Sequence, residues 1–125
     1  MKVSEIMKKA FVIDENVSLK EAARLMSEKN IGSLIVMNKE KIAGIVTEKD
    51  VTKNVSRLGR KVGNVMSKNV ITIGKNDNID DASRLMGKNR IKRLPVVHKQ
   101  ELVGIITATD LLENSEELNE EFFID

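Results

Sequence analysis

Apolar positions along the chain alternate between strand-like runs and helix-like stripes, and the same order occurs twice. "AFVI" (10–13) and "VITI" (70–73) are short continuous apolar runs of the kind that forms buried strands. After the first, Ser18 and Glu21 stand three apart as a capping box, and Leu19, Ala22, Ala23, Leu25 and Met26 make an apolar helical stripe. After the second, Asn78 takes the cap position and Ile79, Ala82, Leu85 and Met86 the stripe. Each half continues with two β-rich runs. These are "SLIVM" and "IAGIVT" around the polar turn "NKEK", and "LPVV" and "LVGIIT" around "HKQE". A last helix is predicted from about Glu48 to Leu58, and its partner from about Ala108 to Leu112 or further.

The pattern is a sequence repeat. At an offset of 60, Ala22, Arg24, Leu25, Met26, Ile31, Leu34, Val36, Lys39, Gly44, Ile45, Thr47 and Asp50 each meet the same residue type. Upstream, "VSEIM" (Val3–Met7) matches "VGNVM" (Val62–Met66) at an offset of 59. The copies therefore span 1–58 and 59–113, and 114–125 form an acidic tail. Each is β-α-β-β-α with a short helical turn in front. Helices cover one face of so small a sheet, and a unit of this size is marginal at burying a core alone. The expected fold class is α/β (α+β), with two repeats packed sheet to sheet about a pseudo-twofold axis, joined by "LGRKVGNVM".

Length and composition agree with one soluble globular domain: 125 residues, 41% hydrophobic and 32% charged. No apolar run approaches the length needed to cross a bilayer, and "MKVSEIMKKAF" lacks a signal-peptide core. The expectation is a cytoplasmic protein with no membrane partner. Cysteine is absent, which removes disulfides and thiolate chemistry and disfavours zinc. The net charge of +2 is uneven, because six acids and no base lie from Glu113 onward. The rest holds 21 bases against 13 acids and attracts anions, phosphates included. Phe122 and Phe123 sit in the acidic tail, either as a docking hook for a neighbour or in a disordered end.

The repeated phrases "GIVTEKD" (44–50) and "GIITATD" (104–110) carry the candidate chemistry. Thr47 and Asp50, like Thr107 and Asp110, fall at the end of a strand and the start of a helix. Two readings are open. A Thr followed three residues on by an acid caps a helix. The same carboxylate can instead accept hydrogen bonds from a ribose cis-diol, with helix N–H groups near an anionic ligand.

These phrases, with "VSEIM"/"VGNVM" and "EAARLMSEKNIGSLIV"/"DASRLMGKNRIKRLPVV", resemble a tandem pair of CBS (cystathionine β-synthase) domains, the Bateman module, over residues 1–113. The resemblance implies pockets in which Thr47/Asp50 and Thr107/Asp110 hold ribose hydroxyls, while the first strands and apolar side chains clasp adenine. Relatives bind AMP, ADP, ATP, S-adenosylmethionine or NAD derivatives and regulate an attached or separate protein, commonly as homodimers. Lys92 and Arg93 occupy positions where relatives place bases against phosphates, whereas copy one has Gly32 and Ser33 there. Asp50 with Lys92 and Arg93, aided by Lys49 and Lys53, is thus the expected phosphate site. The Asp110 pocket is expected to prefer a nucleoside, bind weakly or stay empty. For each base the alternative is a solvated surface.

No catalytic set can be assembled. His98, the single histidine, lies in the turn "VVHKQELV", and there is no Walker or G-x-G-x-x-G loop. Met7, Met26, Met66 and Met86 recur at equivalent places and read as core packing. The expected function is a non-enzymatic sensor of an adenosine nucleotide (AMP, ADP, ATP) or S-adenosylmethionine, signalling to a separate effector protein. A nucleic-acid module using Arg57, Arg60, Lys61 and Lys68, and a purely structural dimerisation module, are the competing readings.

Overall fold

The computed structural model describes residues 1–115. Its elements run β1 (Val12–Asp14), α1 (Leu19–Lys29), β2 (Ser33–Asn38), β3 (Lys41–Thr47), α2 (Glu48–Lys53), β4 (Ile73–Gly74), α3 (Ile79–Asn89), β5 (Arg93–His98), β6 (Glu101–Thr107) and α4 (Ala108–Glu113). Short 3-10 turns occur at Val3–Glu5, Val55–Arg57 and Val62–Asn64. The strands make two three-stranded sheets, ordered β1-β2-β3 and β4-β5-β6. In each, the first pair is parallel and the second an antiparallel hairpin.

The compact units do not coincide with the sequence repeats. One comprises Ala10–Val70, and the other Met1–Lys9 together with the chain from Ile71 onward. The turn before each copy completes the core of the other copy's unit. In the first-repeat unit Val62 is fully buried with Leu19, Ala22, Leu34 and Val46, and Val65 and Met66 pack alongside. In the second-repeat unit Val3 and Ile6 are buried with Ala82, Leu94, Val96 and Ile106, and Met7 packs alongside. Each added turn supplies apolar area that a unit of this size needs. Met26 and Met86 are buried in these same cores, so the four recurring methionines are packing residues.

The same segments explain the glycine that opens each repeated phrase. Ile45 and Ser67 exchange backbone hydrogen bonds at 2.9 and 3.0 Å, as do Lys8 and Ile105 at 2.8 and 2.9 Å. A Cβ on Gly44 would lie 2.5 Å from Met66 Sδ and 2.6 Å from the Ser67 carbonyl oxygen. On Gly104 it would lie 2.7 Å from Met7 Sδ and 3.0 Å from the Lys8 oxygen. Only glycine admits a backbone this close.

Local details depart from the sequence expectations in three places. Ser18 caps α1 by accepting from the Glu21 N–H, but the Glu21 carboxylate turns to Arg24 and does not return to the cap. Hydrogen bonds from Arg24 hold the Glu21 carboxyl below its usual pKa. The helix expected to reach Leu58 stops at Lys53, because Asn54 leaves helical geometry (φ −118°, ψ 26°) and its side-chain amide donates to the Asp50 carbonyl at 2.8 Å. Finally, the expected strand 70–73 is confined to Ile73–Gly74. In the first-repeat unit the Ile35 N–H donates to the Phe11 carbonyl at 2.9 Å, extending the parallel pair. The equivalent position is Pro95, which has no N–H to give.

Candidate functional site

Thr47 and Thr107 are the last residues of β3 and β6 and the N-caps of α2 and α4. Both caps are reciprocal. Asp50 Oδ2 accepts from the Thr47 N–H at 2.9 Å and from its hydroxyl at 3.2 Å, while the Asp50 N–H donates to Thr47 Oγ1 at 3.4 Å. In the second-repeat unit the corresponding distances are 2.9, 2.9 and 3.2 Å. The capping reading is therefore realised at both places, and each box consumes one carboxylate oxygen.

The other oxygen decides what else these residues can do. Neither Asp50 Oδ1 nor Asp110 Oδ1 has a hydrogen-bond partner among the described residues. No fully buried side-chain oxygen among those residues lacks a partner. Asp110 Oδ1 therefore keeps an opening to the surface, although Asp110 as a whole is only 4% exposed. Asp50 is half-buried. A carboxylate with one oxygen locked by its helix and the other open is an oriented acceptor for a hydroxyl or N–H of a ligand.

The helix N-termini offer less than the sequence suggests. The first N–H of α2 donates to the Gly32 carbonyl at 3.1 Å, and that of α4 to the Lys92 carbonyl at 2.8 Å. The third N–H of each is held by the cap threonine. Both helices have six residues, so their end charge is small.

Lys92 and Arg93 enter β5 beside Thr107, since Arg93 and Thr107 are register partners and the Lys92 carbonyl binds the start of α4. Arg93 is half-buried and Lys92 exposed. Gly32 and Ser33 hold the matching places beside Thr47. Lys49, in the first turn of α2, is exposed. The structure thus groups Thr107, Asp110, Lys92 and Arg93 in one unit and Thr47, Lys49 and Asp50 in the other. His98 closes β5 opposite Glu101, with the turn itself at Lys99 and Gln100. Among the described residues no group of three or more His, Asp or Glu side chains is arranged to hold a metal ion. None of the helices described there is long and apolar enough to cross a membrane.

The CBS domain model matches residues 3–57 and 62–117. The chain belongs to the CBS domain family. It is 38% identical over 114 residues to an uncharacterised protein of Methanocaldococcus jannaschii, covering 90% of this chain and 38% of that protein. It is 34% identical over 106 residues to the CBS domain-containing protein YhcV of Bacillus subtilis, covering 82% of this chain and 76% of that one. Its fold matches the CBS domain pair of protein MJ0100, solved with 5′-methylthioadenosine and S-adenosyl-L-methionine. The TM-score is 0.84 at 29% identity, covering 90% of this chain and 94% of that one. The fold is thus that of a CBS pair, two mixed sheets with four helices.

Sequence reasoning missed the role of residues 1–9 and 62–67 as the extra edge of the opposite copy. The signal was present in the offset match of "VSEIM" with "VGNVM". That match shows the two segments do the same job, but not on which copy.

Proposed function

We propose that this CBS pair is a regulatory module that binds an adenosine-containing small molecule and passes the signal to a separate protein. The observation that carries the reading is the open Oδ1 on each capped aspartate, Asp50 and Asp110. Thr47 and Asp50, and Thr107 and Asp110, hold the ribose hydroxyls, with the carboxylate oriented before the ligand arrives. Lys92 and Arg93 select ligands bearing phosphate, and Lys49 plays that part beside Asp50. The ligand class is that of AMP, ATP and S-adenosylmethionine. It is supported by the methylthioadenosine and S-adenosyl-L-methionine bound to the CBS pair of protein MJ0100. The module works as a homodimer in contact with its effector, and its differential affinity for ligand in two states transmits the signal.

The absence of Trp and Tyr makes a direct test simple. The purified protein is expected to show an adenine absorbance band, which passes a filter after denaturation and is named by mass spectrometry. Failing a co-purified ligand, titration with AMP, ATP, S-adenosylmethionine and methylthioadenosine is expected to raise Tm for at least one. A ligand at 100 times its Kd stabilises by roughly 2.7 kcal/mol. No shift with any of the four would overturn the reading.

A further inference from the structure

The corners that hold Asp50 and Asp110 share a backbone and differ in charge. Glu48 opens α2, and its N–H donates to the Gly32 carbonyl. Ala108 opens α4 and donates in the same way to the Lys92 carbonyl. Ser33 faces Thr47 in register as Arg93 faces Thr107. On this common frame the repeat offset of 60 sets Gly32, Ser33 and Glu48 against Lys92, Arg93 and Ala108. An acid in the first-repeat unit is exchanged for two bases in the second.

The Glu48 carboxyl lies beside Gly32. A Cβ on Gly32 would stand 3.8 Å from Glu48 Cδ and 3.9 Å from its Oε1, which are ordinary contacts. Gly32 also has no positive φ, so the fold does not require glycine here. What glycine leaves is open space against a carboxylate. Glu48 is exposed, and among the described residues its carboxylate makes no ion pair or hydrogen bond. Lys49 follows it in α2, and successive helical residues do not face each other. The first-repeat unit thus presents an acid and a base in different directions near Asp50. In the second-repeat unit Ala108 packs against the core, Thr109 replaces Lys49, and Lys92 and Arg93 make no ion pair among the described residues.

We propose that the two corners sort nucleosides by the charge of the group attached to the ribose 5′ carbon. The Gly32–Glu48 corner takes a group that carries cations with one carboxylate, as the sulfonium, ammonium and carboxylate of S-adenosylmethionine do. Glu48 meets a cation, and the anion held by Lys49 is the carboxylate. A phosphate placed there meets like charge, which excludes it more effectively than a missing contact would. The Lys92–Arg93 corner takes a phosphate, with no carboxylate at position 108 to oppose it. The sorting rests on the nucleoside-binding reading of the threonine–aspartate caps and narrows it to one ligand class per corner.

Calorimetric titration of the full chain with S-adenosylmethionine, methylthioadenosine and AMP tests the sorting. Methylthioadenosine keeps adenine and ribose but has neither the sulfonium nor the amino-acid end. Glu48→Gln is expected to weaken S-adenosylmethionine by roughly fivefold, the scale of an exposed charge pair, and to leave methylthioadenosine and AMP within about twofold. Protein saturated with AMP is expected to bind S-adenosylmethionine still, at one per chain. The residues can also be exchanged, because the second-repeat unit already carries them on the same backbone. Gly32→Lys with Ser33→Arg and Glu48→Ala is expected to raise AMP from one to two per chain and to remove the preference for S-adenosylmethionine over methylthioadenosine. If Glu48→Gln weakens all three ligands alike or none of them, or if AMP displaces S-adenosylmethionine, the sorting is overturned while nucleoside binding stands. No binding of any of the three by the unsubstituted chain overturns both.

Discussion

Asp110 holds Thr107 with a single oxygen. Oδ2 accepts from both the backbone N–H and the hydroxyl of Thr107 at 2.9 Å each, and Oδ1 makes no hydrogen bond among the described residues. Capping and ligand binding, alternatives when only spacing is visible, are compatible in this geometry because they use different oxygens. Substitutions can then separate them.

Asp110→Asn keeps an oxygen for the Thr107 N–H but puts an amide NH₂ where the ligand needs an acceptor. We expect it to retain most of the stability and to lose affinity for adenosine ligands by roughly tenfold or more, as loss of a hydrogen bond to a charged group implies. Asp110→Ala should lose both, with about 0.5–2 kcal/mol of stability going with the cap. Chemical denaturation and calorimetric titration of the two variants check this. Unchanged affinity in Asp110→Asn would show that Oδ1 does not contact the ligand.

Lys92→Ala combined with Arg93→Ala should weaken AMP and ATP more than adenosine or methylthioadenosine. Charge-assisted contacts to phosphate are lost, while ribose contacts remain. The comparison is a ratio of Kd values across the four ligands at one ionic strength. Equal weakening of all four would remove phosphate selection from these residues.

Gly104→Ala and Gly87→Ala should move stability in opposite directions. A Cβ on Gly104 meets the Lys8 carbonyl, which is itself fixed by pairing with Ile105, so the strain cannot relax. A loss of roughly 1–3 kcal/mol follows from such overpacking. Gly87 lies inside α3 with nothing within 4 Å of an added Cβ, and alanine there should gain about 0.5–1 kcal/mol. Urea denaturation of both variants gives the two signs directly.

The β5–β6 hairpin turns on Lys99 and Gln100, both at positive φ (51° and 69°). Asn-Gly suits a two-residue turn of this kind, so Lys99→Asn with Gln100→Gly should stabilise by about 1 kcal/mol. In the β2–β3 hairpin only Lys39 has positive φ (57°), and the same replacement at 39–40 should gain less. Tm values of the two double variants decide it.

Much of the fold was legible because its determinants are local. The stripes Leu19–Ala22–Met26 and Ile79–Ala82–Met86 face their cores as spaced, and Ser18 and Asn78 cap the helices they precede. Thr47–Asp50 and Thr107–Asp110 form the boxes their spacing describes. What escaped depends on competition between partners. Glu21 could serve its cap or Arg24, and the guanidinium took it. The shortening of the second parallel pair needed knowledge that position 95 stands where Ile35 gives its N–H to the neighbouring strand's chain in the first-repeat unit.

The sequence by itself determined the repeat, the order of elements in each copy and the two threonine–aspartate caps, because periodicity and capping act within a few residues. Only the tertiary structure decided that Val3 and Met7 complete the second-repeat core, that Val62 and Met66 complete the first, and that Asp110 is buried while Asp50 is half-exposed. Either copy offers an edge strand with a glycine able to receive a neighbouring backbone. Which segment fills it is settled by chain path and apolar burial between residues distant in sequence, Ser67 against Ile45 and Lys8 against Ile105, information that no local pattern carries.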